Sequence, residues 1–358
     1  ISQLRSKFHT VLVAATGSYD ETSKSIFDEV IDFGKTDAIK KTVGKIIRAH
    51  ADIIYYPSVG METWTTMTCQ LRLAPIQMMT MGHPATSNSE FMDYALIEEF
   101  SLGDSQCFSE TVVVKNEGAK FCPYDDKELP TPVIREKPET IKIAVPATTY
   151  KLNSDFLGVC KNIEKRVKRP IEFHFFPNRL GIMLDFTTQM IWKWLPNSTV
   201  YPSTSYQDYM KYLGACDIHF STFPFGLANG IVDSSLVALP IVALDGPEVH
   251  SHSDVGFQQR LGLPGWLAAN TQEEFEEAAV RLIGDDELRV SISKDLVDAD
   301  PYKIFFANQH ADTDYFANLA DWIYRNHESI QTDGRKTWTE EDFIDGNDIK
   351  PTPIDQVS

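Results

Sequence analysis

Cysteine is scarce and poorly placed for chemistry. The chain has five among its 358 residues: Cys69, Cys107, Cys122, Cys160 and Cys216. The number is odd and no C-x-x-C spacing occurs, which excludes a disulfide framework and a structural zinc and predicts reduced, cytoplasmic thiols. Long hydrophobic runs are missing too. No apolar stretch approaches 18 residues, so no membrane span is expected, and no signal-peptide pattern opens the chain. Its first residue is Ile1, which leaves room for upstream domains. Positive charge is in deficit, with 33 Lys and Arg against 51 Asp and Glu for a net charge of −18. That excludes a general binder of nucleic acid or of anionic membranes, while leaving room for a local basic pocket.

Several signatures are absent. Gly34-Lys35-Thr36 lacks the upstream glycine of a P-loop, because position 29 is Glu29. No G-x-G-x-x-G follows a strand and no G-x-S-x-G occurs. The pairs Asp298/Asp300 and Asp312/Asp314 have D-x-D spacing but sit late, at helix boundaries, where acids cap helices anyway. His250-Ser251-His252 could be a metal pair on a loop, without a third ligand in sequence. Asn197-Ser198-Thr199 is a sequon by chance in a cytoplasmic chain. No metal is expected.

What is present is an α/β rhythm. Hydrophobic residues make up 42%, enough for two cores. Strands are predicted at 10–15, 52–56, 76–80, 94–97 and 111–114, with helices at 36–51 and 62–73, giving a mostly parallel sheet. Residues 122–140, with four prolines and many charges, read as a linker. The rhythm then restarts. Strands fall at 141–146, 171–176, 217–220 and 241–244. Helices fall at 154–168, 205–215, 271–283 (Thr271 and Glu274 forming a capping box) and 311–325. The expected organisation is a first Rossmann-like domain at 1–121, the linker at 122–140, a second at 141–326, and a loosely ordered acidic tail at 327–358. A cleft between two such domains is the default ligand site.

Within the second domain, FPFGLANGIVDSS (223–235) interrupts an apolar run with Gly226 and Gly230. Asn229-Gly230 sits where a helix should begin. Unpaired amides there bind phosphate, the glycines allow close approach, and Asp233 one turn later suits a ribose. The same stretch also fits a plain capped helix with Asn229 as N-cap. Thr148-Thr149-Tyr150-Lys151 follows the first strand of this domain. Lys151 could neutralise a diphosphate, with the threonine hydroxyls as donors, or be a solvated lysine before a helix. His83, in Gly82-His83-Pro84-Ala85-Thr86, follows an apolar strand of the first domain and reads either as structural or as facing the cleft.

From Phe223 to Thr271 the sequence resembles the C-terminal domain of the bacterial cytoplasmic peptide N-glucosyltransferases. These adhesin-modifying enzymes are related to the O-GlcNAc transferases. The likeness continues in YYPSVGM (55–61), MGHPATSNSEF (81–91), CFSETVV (107–113) and TTYKLN (148–153). It implies a GT-B fold, with two facing Rossmann-like domains. It also implies inverting, metal-independent transfer of a hexose, glucose, from a UDP-sugar to an asparagine side chain of a protein. Carried over, Lys151 contacts the β-phosphate with Thr148 beside it. Asn229 and the backbone at Gly230 hold the diphosphate, Asp233 holds the ribose, and His83 lies near sugar or acceptor as the candidate base. The family's HPATTH reads HPATSN here, so Asn88, which is no base, stands on the acceptor side in place of a histidine. The family's all-helical N-terminal domain has no counterpart in the chain. Two alternatives follow: transfer to a saccharide or other small acceptor, or a non-catalytic sugar-nucleotide-binding module of a larger glycosyltransferase.

Overall fold

The computed structural model describes residues 2–34, 37, 39–80, 82–115, 131–306 and 314–343. They form two α/β units. The first comprises residues 1–99, 105–117 and 308–358, the second 100–104 and 118–307.

The second unit is built on a parallel sheet of β7 (Ile141–Val145), β8 (Ile171–Phe175), β9 (Thr199–Val200), β10 (Ile218–Phe220), β11 (Ile241–Leu244) and β12 (Ala268–Ala269), in the order β12-β11-β10-β7-β8-β9. β7 lies in the middle. The chain walks outward through β8 to β9, crosses back, and walks outward again through β10, β11 and β12. Direction therefore reverses between β7 and β10, which pair side by side with Ile143 opposite Ile218. Such a reversal opens a crevice at the strands' carboxyl ends, because the two connections leave toward opposite faces. The strands are nearly all apolar because helices cover the sheet on both faces. Ile141, Ile143, Val145, Phe175, Ile218, Phe220 and Ile241 are fully buried.

The flanking helices are α4 (Ser154–Arg166), α5 (Gly181–Trp192), α6 (Tyr206–Gly214), α7 (Asn229–Leu236), α8 (Val249–Arg260), α9 (Gln272–Gly284), α10 (Asp286–Ala299) and α11 (Pro301–Phe306). Side-chain caps fix where several begin. Asn153 accepts from Phe156 N at 2.9 Å, Ser205 from Asp208 N at 3.1 Å and Thr271 from Glu274 N at 3.1 Å. The predicted capping box at α9 is only half made, since Glu274 turns instead to the Asn270 amide at 2.8 Å. The His250/His252 pair lies on α8, not on a loop. Asp300 ends α10 in a left-handed conformation, while Asp312 falls outside the described residues.

The first unit holds a parallel pair, β1 (Val11–Ala15) with β2 (Glu29–Phe33), and a parallel sheet ordered β13-β6-β5-β4-β3. Its strands are β3 (Ile53–Tyr56), β4 (Ile76–Met79), β5 (Tyr94–Glu98), β6 (Thr111–Lys115) and β13 (Thr337–Trp338), with helices α1 (Glu21–Ile26), α2 (Ile39–Arg48), α3 (Thr63–Thr68), α12 (Tyr315–Asp333) and α13 (Glu340–Phe343). α3 stops five residues short of the expected end. The buried Gln77 side chain takes over the following backbone, accepting from Leu73 N and donating to Leu71 O, both at 3.0 Å.

The largest departure from expectation is at the C-terminal end. Residues 315–326 were expected in the second domain and 327–343 in a loose tail. Instead α12 packs Leu319, Trp322 and Ile323 onto Ile76, Tyr94 and Val113 of the first unit, and Trp338 is fully buried as β13 pairs with β6. Tyr94 Oη and His327 Nδ1 lie 2.8 Å apart. The apolar spacing in α12 outweighs the acidic composition around it. The expected linker lies partly outside the described residues, and 131–140 carry no helix or strand.

Leu319→Ala should therefore destabilise the first unit by about 2–5 kcal/mol, the usual cost of such a cavity in a packed core. Urea denaturation followed by tryptophan fluorescence measures it. A cost below about 0.5 kcal/mol would contradict the placement of α12.

Candidate functional site

Two loops leave the carboxyl edge at the β7/β10 reversal. After β7 the chain makes a 3-10 turn, Thr149–Lys151, closed by Lys151 N donating to Thr148 O at 3.0 Å. After β10 it runs through Ser221–Ala228 into α7. Asn153 ties the loops together: its Oδ1 caps α4 while its Nδ2 donates to Phe223 O at 2.6 Å.

Lys151 reaches across this crevice. Its ammonium donates to Gly226 O and lies 4.5 Å from the centre of the Phe225 ring. The pocket is drier than bulk water, so burial lowers the Lys151 pKa, with nearby Asp254 pulling the other way. Among the described residues this desolvated ammonium, on a backbone carbonyl and a ring face, has no ion pair, which is a setting that favours an incoming anion.

The loop itself is shaped by Asp254 of α8, a buried carboxylate. It accepts from Leu227 N at 2.7 Å, Ala228 N at 2.8 Å and the Ser221 hydroxyl. A Cβ on Gly226 would lie 2.5 Å from Asp254 Oδ2, so only glycine passes there. Ala228 takes φ 45° and ψ −91°, strained for a non-glycine residue.

The start of α7 differs from expectation in two ways. Ala228, not Asn229, is the N-cap. The Gly230 amide, expected to hold phosphate, is taken by Leu227 O at 3.1 Å. A Cβ on Gly230 would lie 3.2 Å from Leu227 Cβ and 3.5 Å from Pro146 Cγ, a close fit. Asn229 is exposed at the helix's first residue and its side chain makes no hydrogen bond among the described residues, so its amide and carboxamide are the donors this end offers.

Asp233 stands one turn further on, half-buried, with Tyr206 Oη donating to its Oδ1 at 2.7 Å. Burial pushes its pKa up to about 6, while hydrogen bonds from Tyr206 and Tyr209 act the other way. Thr149 departs from its expected role. Thr187 gives its proton to Met183 O at 2.8 Å, so at the 3.0 Å contact with Thr187 Oγ1 the Thr149 hydroxyl must be the donor, and it has no proton left for a ligand. Thr148 is half-buried and its side chain caps nothing.

His83, on the first unit, is exposed after β4. Two glycines let its loop nest on the 58–60 turn. Gly60 has φ 83°, and a Cβ there would lie 2.4 Å from His83 Cβ; a Cβ on Gly82 would meet Ser58 Cα at 2.6 Å. His83 N donates to Val59 O at 2.8 Å. The rest of this loop hangs on buried Glu110, which accepts from Thr86 Oγ1 and Ser87 N, each at 2.8 Å. Asn88 sits at φ 50°, a conformation asparagine tolerates. His250 and His252 each face other groups of the chain. His252 Nδ1 faces Asp245 Oδ1 at 2.7 Å, and His250 stacks on Phe225 at 5.0 Å. Among the described residues no three His, Cys, Asp or Glu side chains cluster as metal ligands, and no helix is long and apolar enough to cross a membrane.

Two Rossmann-like units with a crevice at the β7/β10 reversal define the GT-B class. A solved structure of a mutant O-GlcNAc transferase from Thermobaculum terrenum shares the fold with a TM-score of 0.67 at 14% identity, over 88% of this chain and 67% of that one. No family model matches. The chain is 36% identical over 309 residues to a UDP-glucose:protein N-beta-glucosyltransferase of Actinobacillus pleuropneumoniae serotype 5b (strain L20), which covers 83% of this chain and 49% of the relative. It is 37% identical over 292 residues to the enzyme of the same name from serotype 7 (strain AP76), covering 78% and 46%. The resemblance read from the sequence is borne out: over the matched residues this chain is a homologue of those enzymes. It spans about half the length of the curated relatives it matches.

Asp254, Phe225, Asn153 and Tyr206 were not singled out from the sequence. The Asp254 signal lies in tertiary pairing with Gly226, 28 residues earlier, which no local motif carries. One consequence is testable without substrate. The ordinary carboxyl value is 3.8, so the folded chain keeps a proton on Asp233 that the unfolded chain releases between about pH 4 and 6. Stability contributed by Asp233 therefore falls as pH rises through that window. Asp233→Asn should raise the melting temperature at pH 7.5 by about 2–6 °C, with the gain shrinking at pH 4.5. An equal effect at both pH values would refute it.

Proposed function

We propose that this chain forms the donor site of an inverting glycosyltransferase that moves glucose from UDP-glucose to an asparagine side chain of a protein. The observation that carries it is the desolvated Lys151 ammonium beside the start of α7 at the sheet's reversal. The homologues' printed activity supplies donor and acceptor class. UDP-glucose carries an α-linked sugar and those enzymes form a β linkage, which supports inversion.

As the sugar–oxygen bond breaks, negative charge grows on the departing UDP. Groups already placed there stabilise the transition state more than the ground state. Lys151 and the Asn229 donors supply that charge compensation, so we assign no metal to the reaction. Asp233 accepts from the ribose hydroxyls, exchanging Tyr206 for ligand. Thr148 lies beside the phosphates. His83 and Asn88 are assigned to the acceptor, His83 as base or as a hydrogen-bonding guide. A lost acid limb in the pH–rate profile of His83→Ala identifies the base, and an unchanged limb removes it from that role. Asn88, where the family has a histidine, favours a second reading in which the acceptor is a saccharide or another small molecule.

Lys151→Ala should lower turnover with UDP-glucose by about 100- to 1000-fold, by comparison with loss of one oxyanion donor. UDP at 100 times its Kd should stabilise the wild type by about 2.7 kcal/mol, and the substitution should remove most of that shift. Turnover within a few-fold of wild type would overturn the assignment. Nucleotide binding with no donor hydrolysis under any acceptor would identify a non-catalytic module instead.

A further inference from the structure

We infer that Asp254 is a positioning residue for the diphosphate end of the donor, acting on Lys151 and α7 through the 225–228 loop. The inference rests on the donor-site reading above.

Asp254 sits on α8 beneath the loop and touches no open surface, being 2% exposed. Its carboxylate takes three donors at once: the amides of Leu227 and Ala228 and the hydroxyl of Ser221. Binding two successive amides on one carboxylate turns the chain sharply. That turn has two outputs. On one side it presents Gly226 O and the Phe225 face to Lys151, so the ammonium's seat is made by the two residues just before the anchored amides. On the other side it forces Ala228 to φ 45° and starts α7 at Asn229, whose amide and carboxamide are left as donors. Phe225 stacks on His250 of the same helix, four residues before Asp254, at an interplanar angle of 14°. One helix therefore sets both the carbonyl and the ring that hold Lys151.

A Cβ at 226 would lie 2.7 Å from Asp254 Cγ and 2.9 Å from Oδ1 as well as 2.5 Å from Oδ2, so the carboxylate is pressed against the backbone whose carbonyl accepts the Lys151 hydrogen bond. Asparagine in its place has one acceptor for two amides and turns an NH2 toward one of them. The loop then has to open. Removing the negative charge works in the opposite direction, since it relieves repulsion of an incoming diphosphate, and the two effects predict opposite outcomes.

The test is isothermal titration of UDP and UMP into wild type, Asp254→Asn and Ser221→Ala, with melting curves to check folding. UMP lacks the β-phosphate and serves as the internal control. If Asp254 positions the diphosphate seat, the preference for UDP over UMP falls about tenfold in Asp254→Asn, UMP affinity stays within about twofold, and Ser221→Ala falls in between. If Asp254→Asn does not melt cooperatively, Ser221→Ala decides with the same ratio. An unchanged ratio in the folded variants, UMP and UDP weakened equally, or UDP bound more tightly would each overturn the inference while leaving the donor site standing. No nucleotide binding by the wild type would remove the donor-site reading and this inference together.

Discussion

β7 and β10 lie side by side, point the same way, and send their chains off in opposite directions. Every feature of the candidate site depends on that arrangement. A parallel sheet brings all its carboxyl ends to one edge, but only at the reversal do two loops diverge and leave a crevice. Lys151 comes from one of these loops and the 223–235 stretch from the other. Had the strand order run monotonically, helices would have filled the space and Lys151 would have had no carbonyl across from it.

The crevice is then shaped by polar groups that give up their own hydration. Asn153 spends both ends of its carboxamide on protein, and Asp254 takes three donors while out of water. Buried groups of this kind are costly unless fully satisfied, and satisfied they hold backbone far more rigidly than apolar packing does. Asp233 shows the same economy unfinished. Its carboxyl is held by Tyr206, and burial raises its pKa to about 6, so its ionised form costs the folded chain stability.

Much of this was legible in the chain. The strands β7, β8, β10 and β11 are short apolar runs between breakers, and period and length placed them within a residue or so. Thr271 announces its helix because an N-cap is a local bond. The structure brings 223–235 and Thr148–Lys151 together, and the candidacy of both stretches also came from local chemistry: glycines, a lysine and an acid at helix-turn spacing. The roles inside those stretches did not. The Gly230 amide reads as a phosphate donor, and it is given to Leu227 O. Thr149 reads as a donor and has given its proton to Thr187. Asn229 reads as a cap, and the cap is Ala228, because Asp254 pulls the preceding amides around.

By itself, then, the amino-acid sequence determined the two α/β units, their parallel sheets, most helix starts and the kinship with a glycosyltransferase family, since all of these rest on periodicity, capping and motif order over short spans. Tertiary structure alone decided that α12 and β13 return to the first unit, because the choice between two cores depends on which apolar face is left uncovered. It also decided which donors at the crevice remain for a ligand. That is a matter of hydrogen-bond accounting between residues far apart in the chain, and each proton can be given only once.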